Sequence, residues 1–130
     1  SLIVGVPANR HIDIASIGDL NWALINPKGH MFTSLDAMPT NKAASITPAT
    51  GNRIENADIS TMPLRYEKKD KDSLWIFSSG FLDASGKSVR QVAEFIHDLI
   101  QAGLPMEGIA TVTSMEAKQK RDYTIMGIQL

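Results

Sequence analysis

The order of apolar and charged blocks over residues 62–130 restricts this chain to few folds. Residues 64–66 and 74–82 have the composition of strands, and Glu67-Lys68-Lys69-Asp70-Lys71-Asp72 between them reads as a charged turn. Leu74-Trp75-Ile76-Phe77 is apolar at every position, as in a central strand covered on both faces. Val89, Val92, Phe95, Ile96, Leu99 and Ile100 then recur at helical spacing. Ser85 and Ser88 are available as N-caps, and Gly103 and Pro105 close the helix. Residues 109–115 and 123–130 read as two further strands around Ala117-Lys118-Gln119-Lys120-Arg121.

The first half is less regular. Residues 2–6 form a β-branched run ended by Pro7, which predicts a short buried strand. Ile14, Ile17, Leu20, Leu24 and Ile25 fit helical spacing, with Asp13 as N-cap and Asn26-Pro27 as stop, so a helix is expected over 13–26. Gly18 weakens that helix by about 1 kcal/mol relative to alanine. Residues 30–35 add a short strand. Residues 37–60, rich in Ala, Ser, Thr, Asn and Pro, predict a long surface excursion and not a linker between two domains. The whole predicts a single α+β domain over 1–130. Its expected form is a two-layer, ferredoxin-like sandwich, a mainly antiparallel sheet with two helices on one face.

At 130 residues the chain is long enough for one core. A formal net charge of -1 gives no general attraction to nucleic acid or to an acidic membrane surface. The chain has no cysteine, so neither a disulfide scaffold nor a thiolate metal site can form. No run approaches the roughly 18 apolar residues of a membrane span. Ser1 in place of an initiator methionine reads as the start of a processed or excised piece. A membrane association is therefore expected only through a segment absent from this chain.

Gly80-Phe81-Leu82-Asp83-Ala84-Ser85-Gly86-Lys87-Ser88 approaches a phosphate-binding loop, but five residues separate Gly80 from Gly86 where four are required. The segment reads instead as a turn with Gly86 at positive φ and Ser85 or Ser88 as N-cap, and no nucleotide is expected there. His11, His30 and His97 have no second ligand at metal spacing, so no metal and no cofactor is expected. Asp83 near Lys87 is the best polar candidate, although a turn aspartate bonded to loop amides explains it as well. Lys68, Lys69 and Lys71, and Lys118, Lys120 and Arg121, read as solvated turns at opposite ends of the sheet. A strand–helix–strand crossover would make the two inner strands parallel. Trp75 and Phe77 are expected in the core and not on a base-stacking platform.

The runs Leu74-Trp75-Ile76-Phe77, Val92-Ala93-Glu94-Phe95-Ile96-His97-Asp98-Leu99, Ile109-Ala110-Thr111-Val112 and Tyr123-Thr124-Ile125-Met126-Gly127-Ile128 cover about half of the chain. Their apolar pattern resembles the periplasmic domains of inner-membrane assembly proteins of type IV pili and type II secretion systems. The resemblance implies a non-enzymatic part in the periplasm, tethered to the inner membrane. It would pair with itself or with a sister assembly protein, as a homo- or heterodimer. The expected contact is the final strand, through Tyr123, Ile125, Met126, Ile128 and Leu130, because no charge follows Asp122 to protect that edge. The alternative is a small-molecule-binding regulatory domain of the ACT type, with its loop at residues 9–13 or 80–88. A small enzyme with its site in the 37–60 excursion is a third reading.

Overall fold

The computed structural model describes residues 2–7, 11–17, 20–36, 60–67 and 69–130. Its strands are β1 (Leu2–Pro7), β2 (His11–Ile17), β3 (Leu20–Ile25), β4 (Met31–Thr33), β5 (Ser60–Glu67), β6 (Ser73–Ser78) and β7 (Ile125–Gln129). Three helices, α1 (Ser79–Ser85), α2 (Val89–Gln101) and α3 (Met106–Ser114), lie between β6 and β7. One sheet has the order β1-β2-β5 and the other β4-β3-β6-β7, with every pairing antiparallel.

Side chains of successive strand residues point to opposite faces, and in β3 and β6 both faces are apolar. Ala23, Ile25, Trp75 and Phe77 pack with Phe81 of α1, Val89, Val92, Ala93 and Ile96 of α2, and Ile109 of α3. Trp22, Leu24, Leu74 and Ile76 pack on the other side with Ile12 and Ile14 of β2. The four-stranded sheet is thus a wall shared by two cores, with helices on one face and β2 on the other. Apolar burial of this kind contributes roughly 25 cal/mol per Å².

The α+β character, the central position of β6 and the edge position of β7 agree with the sequence reading. Strands at 2–7, 31–33 and within 60–67 are also where that reading put them. Of the two serines expected as caps, Ser88 is the N-cap of α2: its Oγ accepts from Gln91 N at 3.2 Å, and Gln91 Oε1 completes a capping box by accepting from Ser88 N at 2.9 Å. Val89, Val92 and Ile96 are buried as expected, whereas Phe95 and Leu99 are only half-buried.

Four expectations need correction. Residues 13–26 form no helix: β2 runs to Ile17 and β3 starts at Leu20. A strand buried on both faces has no alternation to read, and Ile14, Ile17, Leu20, Leu24 and Ile25 satisfied a helical template by coincidence. Residues 109–115 fall in and just after α3, where Ile109 and Thr113, one turn apart, are both buried. Tertiary packing there overrides the β-preference of Ile109, Thr111, Val112 and Thr113. The strand expected over 74–82 ends at Ser78, and Gly80 to Leu82 belong to α1. Finally, the parallel pair of inner strands expected from 74–82 and 109–115 does not form, because the second of these segments falls in and just after α3. The described order β6-α1-α2-α3-β7 does not bear out a ferredoxin-like arrangement. The excursion expected at 37–60 lies outside the described residues as far as 59.

Asp72 fixes the turn into β6. It is 1% exposed, and its Oδ2 accepts from Lys69 N at 2.6 Å. Its Oδ1 accepts from Asn26 Nδ2 at 2.7 Å, and Asn26 Oδ1 accepts from Lys28 N at 2.8 Å. The two residues therefore clamp the β3–β4 turn to the β5–β6 turn. Asp72→Ala removes the acceptor of Lys69 N and one of the two acceptors of Asn26 Nδ2, the other being Asp70 O, and is expected to cost about 1–3 kcal/mol. Chemical denaturation of the variant checks this, and Asn26→Ala should cost less in the Asp72→Ala background than alone, because only its bonds to Lys28 N and Asp70 O are then left to lose.

Candidate functional site

The polar chemistry that the fold assembles sits where β6 runs into α1 and the chain enters β7. Ser78 N donates to Thr124 O at 3.1 Å, and Thr124 N donates back to Ser78 Oγ at 3.0 Å. The side chain of Ser78 thus extends the ladder beyond β7. Gly80 lets the segment approach: a Cβ there would stand 2.3 Å from Asp122 O. Phe81 holds the same segment through Tyr123, with ring centroids 5.6 Å apart, and the Tyr123 hydroxyl donates to Ser114 O at 3.3 Å.

On the outside of this corner Arg121 Nη1 lies 3.6 Å from Asp83 Oδ2, and Asp122 is exposed next to it. One guanidinium and one carboxylate therefore meet from α1 and the lead-in to β7. Arg121 can offer parallel N–H groups to a phosphate or carboxylate, with Asp83 holding its orientation. Half-exposed as the pair is, its contribution to stability is small.

The other sequence candidates are dispersed. Gly86, at φ 69°, caps α1 by donating to Leu82 O at 2.9 Å, so the near-miss phosphate loop is most of α1 followed by the turn into α2. Lys87 Nζ is 3.5 Å from Glu116 Oε1 and 5.5 Å from the Phe95 ring centre. Lys118 Nζ is 3.9 Å from Glu116 Oε2, and Lys68 lies outside the described residues. His97 Nε2 is 3.3 Å from Pro27 O, a carbonyl to which Gln101 Nε2 also donates. Among the described residues no three His, Cys, Asp or Glu side chains group to hold a metal ion. The regulatory-domain loop at 9–13 falls partly outside the described residues and otherwise in β2, and the one at 80–88 contains α1.

Of the final-strand residues, Tyr123, Met126 and Ile128 are exposed, at 40%, 50% and 39%. Ile125 packs against the helix-side core, and Leu130 against the core between the sheets. Sequence reasoning named Asp83 but missed its pairing with Arg121 and the approach of Asp122 to Gly80. The lone signal was a glycine just inside a helix, a position glycine disfavours unless another backbone comes close.

No family model and no curated protein matches the chain. Solved structures similar to it include the Mycobacterium tuberculosis serine/threonine phosphatase PstP/Ppp, with a TM-score of 0.54 and 13% identity over 98% of this chain. A second is the catalytic domain of serine threonine protein phosphatase PstP in complex with two manganese ions, with a TM-score of 0.51 and 12% identity over 96% of this chain. The chain spans 58% and 56% of the length of those two. At this identity the likeness is one of fold. It corrects the expectation of a non-enzymatic part, because the fold the chain shares is one that carries a catalytic domain.

Proposed function

We propose that this chain is a phosphoester-hydrolysing domain of the serine/threonine phosphatase type, acting on phosphorylated protein side chains. The observation that carries the reading is the fold likeness to phosphatases over 98% of the chain. The exposed Arg121, oriented by Asp83, supports it chemically, since a guanidinium can offer parallel N–H groups to phosphate oxygens. The second phosphatase holds two manganese ions. Among the described residues the carboxylates at the corner are too few for such a centre.

The test is phosphate release from phosphoserine and phosphothreonine peptides, with magnesium or manganese supplied and with chelator. Arg121→Met is expected to lower kcat/KM about 10- to 100-fold, equivalent to roughly 1.4–2.7 kcal/mol of transition-state binding. No phosphate release under any of these conditions overturns the proposal. Release that Arg121→Met leaves unchanged removes the corner as the site.

A further inference from the structure

Strand β7 is the outermost strand of its sheet among the described residues. Its ladder with β6 decides which backbone groups it has left. Ser78 N bonds to Thr124 O, Leu130 N bonds to Asp72 O, and the same register pairs Leu74 with Ile128 and Ile76 with Met126. In an antiparallel pair such bonded positions alternate. Thr124, Met126, Ile128 and Leu130 therefore turn their backbone groups toward β6. Ile125, Gly127 and Gln129 turn theirs outward.

The side chains split the same way. Met126 and Ile128 share the face of Leu74 and Ile76, toward the first sheet, yet stand 50% and 39% exposed. From Thr124 to Leu130 there is no charged residue. Edge strands are ordinarily guarded by charge, proline or a bulge against pairing with another chain. This one has no such guard.

We infer that β7 pairs antiparallel with β7 of a second copy, about a two-fold axis at Gly127. In that register Ile125 stands opposite Gln129 of the second copy, and Gly127 opposite its counterpart. All outward-turned residues then meet as hydrogen-bonded pairs, each exchanging two bonds. Met126 falls opposite Ile128 of the second copy, in the non-bonded positions where side chains approach most closely. Two such pairs make one apolar strip, and the neutral strand brings no like charges together. A short edge covers less than the roughly 1,200 Å² of a standard interface, so the dimer is weak and concentration-dependent.

Sedimentation equilibrium of the whole chain over a wide concentration range tests the pairing. Met126→Lys is expected to weaken association at least tenfold. Adding Ile128→Glu to it is expected to restore association, because each lysine then faces a glutamate across the axis. Both sites are exposed, and circular dichroism confirms folding. Hydrogen exchange on the unaltered chain gives a second reading. Amides 125, 127 and 129 should gain protection with concentration, while 126 and 128 are protected throughout. A chain that stays monomeric, a single variant that still associates, or a double variant no better than the single overturns the inference. So does protection of 125, 127 and 129 only when a different protein or a longer polypeptide is added, which would assign the edge to that occupant.

Discussion

Truncating Trp75 to alanine is expected to cost about 3–5 kcal/mol, and to make alanine acceptable at Gly127. Trp75 is fully buried in the central strand, and its Nε1 donates to Ser73 Oγ at 2.9 Å. The indole lies across β7, where a Cβ on Gly127 would meet ring atoms at 2.5 and 2.8 Å. A glycine inside a strand normally weakens it, but here it admits the largest side chain of the helix-side core. Gly127→Ala alone should therefore destabilise by about 1–3 kcal/mol through overpacking. In the Trp75→Ala background the same change should cost far less. Guanidinium denaturation of both single variants and the double gives the coupling, and strictly additive losses would contradict this packing.

The second large effect belongs to Gly80. Its missing Cβ would stand 2.3 Å from Asp122 O, and backbone cannot swing aside as a side-chain tip can. Gly80→Ala is expected to cost about 3 kcal/mol, the upper end of ordinary overpacking. The strain should be released locally, by lifting the chain that leads into β7 off α1. The Tyr123–Phe81 ring contact would then break, and the Asp83–Arg121 pair would separate. Phosphopeptide hydrolysis should fall more in Gly80→Ala than in Ser85→Ala, which loses the Ser85 Oγ bonds with Leu82 O and Lys87 N and leaves the corner in place. Equal activity in the two would disconnect this geometry from the chemistry.

Legibility followed the physics of each element. Helix α2 was readable because one face is apolar, the other charged, and Ser88 offers an N-cap at its start. Strand β6 was readable because an unbroken apolar run of that length between turn signals fits a covered strand. The same double burial hid β3, whose Trp22, Ala23, Leu24 and Ile25 are all buried and show no period of two. Helix α3 was hidden by its β-branched residues, since its position is settled by the sheet and α2 beneath it. Of the corner, Asp83 was visible as a residue but not as a partner. The separation between Asp83 and Arg121 is bridged only by the way β7 returns beside β6, a contact no local pattern encodes.

That return has a kinetic consequence. All three helices intervene between β6 and β7, so joining these neighbouring strands closes a loop whose entropy is on the order of 3 kcal/mol. The helix contacts within that loop are short-range and form without paying it. Refolding should therefore assemble the helical layer on β6 first and dock β7 late. In pulse-labelling experiments amides 126 and 128 would be among the last to gain protection. Until then one flank of β6 stands open, and crowded refolding should fail there by strand exchange between chains.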